Sequence, residues 1–219
     1  ALLDMKFERK FVRTKIITHT PNSVPARLPN TVTMPSAMSS PAPLASRPFA
    51  KPVEKTVEYP VSEEETDDAQ AYLSYSTVVG TSLDADLYLA FQVLEYALLS
   101  APGAPLKRAL TDAGIGKDIM GSYDNGIYQP IFSVIAKNAN VEQKEAFVKV
   151  IEDTLKDIVE NGMDKKALEA GINYNEFRYR EADFGGYPKG LMYGLQIMDS
   201  WLYDDEKPFI HIEALDTFE

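Results

Sequence analysis

The stretch K-D-I-M-G-S-Y-D-N-G-I-Y-Q-P-I-F-S-V-I-A, residues 117–136, decides the fold. Lys117–Tyr123 and Ile127–Ala136 are rich in β-branched and aromatic residues, and Asp124-Asn125-Gly126 between them is a strong hairpin signal. Two antiparallel strands joined by a tight turn are therefore expected, with Asn125 and Gly126 at positive φ. Pro130 cannot donate to a ladder, so it belongs at an edge or a bulge.

Helical patterns flank this hairpin. Upstream, Ala71–Gly80 reads as a central strand, and Asp84 or Asp86 then caps a helix. Leu87, Ala90, Phe91, Leu94, Ala97 and Leu98 form its apolar stripe. Pro105 suits the first turn of a short second helix that buries Leu106 and Leu110, with Gly114 at its C-terminal end. Downstream, Val141–Asn161 is a long helix with Phe147, Val150, Ile151, Leu155 and Ile158 inward, stopped by Gly162. Asp164 caps a helix near Lys165–Glu181. Pro188–Leu202 is a last amphipathic helix with Leu191, Leu195, Met198 and Trp201 on its apolar side, Trp201 being expected in the core. The order β-α-α-β-β-α-α-α predicts an α+β domain: an antiparallel-rich sheet with helices packed on one face.

The first 58 residues read differently. Residues 1–60 carry net charge +5 and nine of the fourteen prolines, whereas residues 61–219 carry net charge −16. Repeated proline denies both helix and ladder hydrogen bonds, which predicts a basic Pro-rich arm over 1–58 and a domain over 59–219. Phe11–Ile17 alone has the composition of a short strand. The arm's acid-poor, Ser- and Arg-containing composition suits an organelle transit peptide, and its spaced prolines suit an aromatic groove. An interdomain strap is the simplest reading.

Composition removes many functions. The chain has 219 residues, no cysteine and two histidines, His19 and His211. Thiol chemistry, disulfides and Cys-ligated metals are excluded, and H-E-x-x-H cannot be written. The net charge of −11 argues against a general nucleic-acid binder, and no apolar run reaches the roughly 18 residues of a membrane helix. Gly114-Ile115-Gly116-Lys117 lacks the upstream glycine of a phosphate loop, so helix cap and turn is the better reading. The acidic runs Glu63–Asp68 and Asp204–Glu206 lack alternating calcium-ligand spacing. Tyr123, Asp124 and Tyr128 surround the hairpin tip and are candidates to line a pocket. Arg178 and Glu181 are helical neighbours three apart, and an ion pair is expected.

P-L-K-R-A-L-T-D-A-G-I-G-K-D-I-M-G-S-Y-D-N-G at 105–126, Q-P-I-F-S-V at 129–134 and E-F-R-Y-R-E-A-D-F-G-G-Y-P-K-G-L at 176–191 together carry a resemblance. The segment from about Tyr59 to Phe209 resembles the second domain of zinc metallopeptidases of the pitrilysin/insulinase clan, in the branch holding presequence protease and falcilysin. The resemblance implies a LuxS/MPP-like metallohydrolase-type fold that repeats the catalytic domain without its inverted zinc motif. Gly121, Asp124, Asn125, Gly126, Gln129, Pro130, Arg180 and Glu181 fall at the motif positions and are expected to be structural; no catalytic or metal residue is expected. The implied cofactor is zinc in the parent's catalytic domain, none being expected in this chain. The implied partners are that catalytic domain, in the same polypeptide or a companion chain, and peptide substrates. The expected compartment is the cytoplasm in a bacterium or an organelle matrix in a eukaryote, with no secretion signal visible. A stand-alone binding module is the alternative.

Overall fold

The computed structural model describes residues 14–21 by backbone only, and residues 52–59, 71–181 and 185–213 in full. The proline run between the first two segments, the acidic run Glu63–Asp68 and the motif residues Ala182–Phe184 lie outside them.

Five strands form one sheet, in the order β2-β1-β3-β5-β4. They are β1 (Thr14–Pro21), β2 (Val53–Tyr59), β3 (Ala71–Val78), β4 (Asp118–Asp124) and β5 (Ile131–Ala139). The pairs β1–β3, β3–β5 and β4–β5 are antiparallel, and β1–β2 is parallel. This is the antiparallel-rich α+β sheet that the hairpin and the helical runs predict.

The sheet does not stop at residue 59. β1 inserts between β2 and β3, and Lys144 donates to the Glu54 carboxylate from the body. The first 58 residues therefore contribute two strands, and a domain boundary at 58/59 would cut β2. Proline spacing misled the reading because Thr14–Thr20 precedes the first proline of the chain and Val53–Tyr59 is a proline-free window between Pro52 and Pro60.

One sheet face is apolar. Phe132, Val134 and Ala136 of β5 alternate inward, as the period of two requires, and meet Leu73 and Ile119. Three helices cover them: α1 (Ala85–Glu95), α2 (Pro105–Asp112) and α3 (Lys144–Asn161). Asp84 caps α1 by accepting from the Leu87 N–H, and Pro105 opens α2. α3 is preceded by one 3₁₀ turn, Val141–Gln143, where the Asn140 N–H donates to Gln143 Oε1 in a capping box. The Gln143 amide also donates to the Gly114 carbonyl, tying α3 to the end of α2.

Further helices build an outer layer: α4 (Lys165–Arg180), α5 (Lys189–Trp201) and the single turn α6 (Ile210–Glu213). Gly171 lets α4 approach α1 closely, because a Cβ there would lie 3.2 Å from the Val93 carbonyl. α1 is thus buried on more than one stripe, with Tyr88 and Leu89 packing on Tyr179.

Three expectations change. The β4–β5 connection is longer than a tight turn, running from Asn125 to Pro130, and neither Asn125 nor Gly126 has positive φ. Pro130 is fully buried just before β5, a central strand, where its carbonyl accepts from the Val79 N–H. Its missing donor costs nothing because it precedes the ladder. Finally, Leu191, Leu195, Met198 and Trp201 of α5 are exposed, Trp201 by 52%. The helix is amphipathic as expected, but its apolar side faces outward, and α6 packs against the helix.

Candidate functional site

α1 does not end as an α-helix. A π-helical turn, Tyr96–Ser100, continues it, closed by the Ala101 N–H donating to the Tyr96 carbonyl. Five-residue spacing lets the Ser100 hydroxyl donate to Glu95 Oε1 at 2.8 Å. Such turns often mark functional positions because they re-aim side chains out of α-helical register. Gly121 sits opposite on β4: a Cβ there would fall 3.0 Å from the buried Leu99 Cβ.

A cleft of about 590 Å³ opens beside this turn. α1 and the π turn supply Tyr88, Gln92, Glu95, Tyr96 and Ser100. The tip of β4 supplies Tyr123 and Asn125, α4 supplies Tyr174, Asn175, Arg178 and Tyr179, and α5 supplies Gln196 and Asp199. Tyr96 and Tyr174 stack with ring centroids 4.5 Å apart, forming one wall. The Tyr179 hydroxyl donates to Gln92 Oε1 at 2.9 Å and receives the Tyr88 hydroxyl. The buried Tyr123 hydroxyl has no hydrogen-bond partner among the described residues. Behind the cleft, His211 stacks on Tyr88 at 3.9 Å, and its Nε2 meets the Ser82 carbonyl. Burial lowers the His211 pKa, opposed by backbone contacts.

Burial pushes Tyr88, Tyr123 and Tyr179 upward, so all three stay protonated donors. Asp199 is raised from 3.8 to about 6, first by burial and then by repulsion from Asp124. Its proton is therefore held more tightly in the folded chain than in the unfolded one. Stability from this group is full below 3.8 and is lost as pH rises through about 6. The full shift corresponds to about 3 kcal/mol, which solvent screening at a half-exposed carboxylate reduces to about 1 kcal/mol. Asp199→Asn is thus expected to be more stable than the parent at pH 7.5 and equal to it at pH 3.5. Urea melts at both values check this; a variant less stable at pH 7.5 would contradict it.

The motif residues scatter around the cleft. Asn125 lines it, Asp124 acts on Asp199, and a Cβ on Gly126 would stand 3.5 Å from Asp199 Oδ1. Gln129 and Pro130 lead into β5. Tyr123 joins the wall, whereas Tyr128 packs on Tyr203 at 5.1 Å. Arg180 pairs with Glu176 at 2.6 Å, one turn back on the exposed side of α4. Glu181 ends that helix, and its carbonyl accepts from Lys189. The ion pair is therefore Arg180–Glu176 where Arg178–Glu181 was expected, an i,i+4 spacing replacing i,i+3. Sequence reading missed Gln92, Glu95, Tyr179 and Asp199. The available signal was polar Gln92 and Glu95 interrupting an otherwise apolar helix.

Among the described residues, no three His, Asp or Glu side chains converge as a metal ion would require, and no helix is long and apolar enough to cross a membrane. Helices layered on an antiparallel-rich sheet, beside a tyrosine-lined cleft, define the class: an α+β domain. The chain belongs to the peptidase M16 inactive domain family, whose model matches residues 25–175. It is 48% identical over 165 residues to protein HypA of Clostridium perfringens, covering 75% of this chain and 17% of that protein. It is 31% identical over 171 residues to presequence protease 1, chloroplastic/mitochondrial, of Arabidopsis thaliana, covering 76% and 16%. The chain thus spans about a sixth of the length of these relatives. A crystal structure of an inactive peptidase domain from Bordetella parapertussis aligns with TM-score 0.49 and 11% identity, over 67% of this chain and 84% of that one.

Proposed function

We propose that this chain is the non-catalytic domain of a presequence protease-like zinc metalloendopeptidase that degrades short unfolded peptides, where it supports the catalytic domain and forms chamber wall. The large apolar side chains exposed on the outer layer carry this reading. Leu191, Leu195, Trp201 and Leu202 of the α5 region, Phe177 of α4 and Phe209 are each more than half exposed. Monomeric soluble domains rarely leave so many large apolar groups together in water, and a partner domain would cover them. The family match and the 17% coverage of a relative agree with a parent that contains further domains. Zinc and the hydrolytic chemistry would belong to that parent's catalytic domain.

Metal analysis of the untagged chain, paired with a fluorogenic-peptide assay in added zinc, tests the assignment. The expected result is no stoichiometric zinc and no chelator-sensitive cleavage. One zinc per chain with chelator-sensitive turnover would overturn it, since a catalytic zinc needs three protein ligands and an open position.

A further inference from the structure

The tyrosine-lined cleft between α1, α4 and α5 is not accounted for by a supporting role. We propose that it is a binding site for a cationic side chain, guanidinium or primary ammonium, presented by an extended peptide. The proposal rests on the peptidase reading only for the peptide as the source of the cation.

The cleft has the chemistry such a group needs. A cation is attracted to the faces of aromatic rings, and Tyr88, Tyr96, Tyr123, Tyr174 and Tyr179 all border the space. Two carboxylates, Glu95 and Asp199, approach it from different elements. Asp199 has no ion-pair partner among the described residues. Its charged neighbour Asp124 repels it, so the free site holds an uncompensated negative charge. The Tyr123 hydroxyl, buried and unpartnered among the described residues, offers an acceptor lone pair to an N–H donor. The Asn125, Gln92 and Gln196 side chains add neutral acceptors that suit the several N–H groups of a guanidinium.

The opposing charge is Arg178, exposed on the lip of α4, where it acts on Tyr179. It leaves the inner end of the cleft to Asp199 and the tyrosines. The groups facing Asp199 from the packed elements are Tyr88 from α1, Asp124 from β4 and Tyr179 from α4. His211 of α6 lies one ring further back, behind Tyr88. Burial and the neighbouring Asp124 push the Asp199 carboxyl up to about 6, so its ionisation adds negative charge to the site as pH rises from 5 to 7. Affinity for a permanently charged arginine is expected to rise by up to about tenfold over that interval, following the ionised fraction.

Binding is measured by nuclear magnetic resonance titration of the 219-residue chain with acetyl-Gly-Arg-Gly-amide, its lysine counterpart and its citrulline counterpart. Free guanidinium chloride serves as the non-peptide source. The arginine and lysine peptides are expected to shift resonances of Tyr88, Gln196 and their neighbours, and the citrulline peptide to bind at least about fivefold more weakly. The arginine peptide is expected to outbind guanidinium chloride. Asp199→Asn is expected to weaken the arginine peptide and flatten its pH profile, which a contribution from His211 would not do. Glu95→Gln keeps the acceptor for Ser100 while removing the other charge, and should weaken binding without altering the pH profile. Equal binding of arginine and citrulline peptides, an unchanged profile in Asp199→Asn, or no saturation at millimolar peptide would each overturn the proposal. Because the titration needs no catalytic domain, these outcomes are separable from failure of the peptidase reading, which zinc content and turnover report.

Discussion

Phe147→Ala is expected to lower the stability of the domain by about 3–5 kcal/mol, the range for emptying a buried aromatic position. Phe147 is fully buried on the first turn of α3, against the sheet-facing core that includes Leu106, Leu110 and Ile151. Its surroundings have little freedom to collapse. On one side stand strands held in register, and on the other α2 is fixed by its own buried Leu106 and Leu110. A residual cavity therefore adds to the lost transfer free energy. Domains of this size have total stabilities of about 5–15 kcal/mol, so the variant should sit near the limit of folding. Phe147→Leu keeps most of the volume and is expected to cost markedly less. Val159→Ala, on the same helix but 55% exposed, should change stability by less than about 0.5 kcal/mol. Urea melts with an unchanged m-value would measure all three. A loss below about 1.5 kcal/mol for Phe147→Ala would mean that α3 is not seated on the core as described.

What could be read from sequence follows what is locally encoded. Every helix from 84 to 201 is legible because caps and apolar spacing lie within a dozen residues: Asp84, Pro105, Asp164 and Gly162 fall where chain chemistry demands them. The β4–β5 pair is legible because alternation and turn residues are local too. Three features depend on distant chain and were not. β1 and β2 owe their place to pairing with each other and with β3: the composition of Phe11–Ile17 hints at β1, but no local pattern announces β2 or the pairing. The outward face of α5 is amphipathic in sequence, but periodicity gives a face and not a direction. The π turn after Glu95 has no sequence period of its own. The cleft followed the same rule: Asn125 and Tyr123 sit near a recognisable motif, while Asp199 reaches them from about 75 residues away. The Asp-Asn-Gly signal failed for a related reason, since Tyr128 and Pro130 are engaged by backbone bonds from Ser82 and Val79. Those tertiary bonds hold the connection open where an isolated hairpin would tighten it.

The glycines give the second large effect, and Gly126, expected at positive φ from the sequence, is the least sensitive of three. Gly116→Ala is expected to cost roughly 2–4 kcal/mol, Gly114→Ala about 1–2 kcal/mol and Gly126→Ala less than about 0.5 kcal/mol. Gly114 and Gly116 have φ of +67° and +66°, a region that side chains resist. At Gly114 nothing lies within 4 Å of a Cβ, so only that backbone strain is added. Gly114 ends α2 in a Schellman arrangement: its N–H donates to the Thr111 carbonyl, and the Ile115 N–H donates to that of Leu110. Ile115 is thereby delivered into the core. At Gly116 strain and crowding combine, because a Cβ would lie 2.7 Å from the Lys137 carbonyl oxygen and 3.2 Å from the Ala136 Cβ. That same carbonyl accepts from the Lys117 N–H at 2.8 Å, the bond that starts the pairing of β4 with β5. Moving it aside would loosen the ladder at its first rung. The Gly-Ile-Gly-Lys sequence is therefore a helix stop followed by a close backbone crossing, and its lysine enters through its amide. Gly126 has neither positive φ nor a contact closer than 3.5 Å, so a methyl group fits there. Denaturant melts of the three alanine variants would decide the order. A larger loss at Gly126 than at Gly116 would restore the tight turn and overturn the crossing.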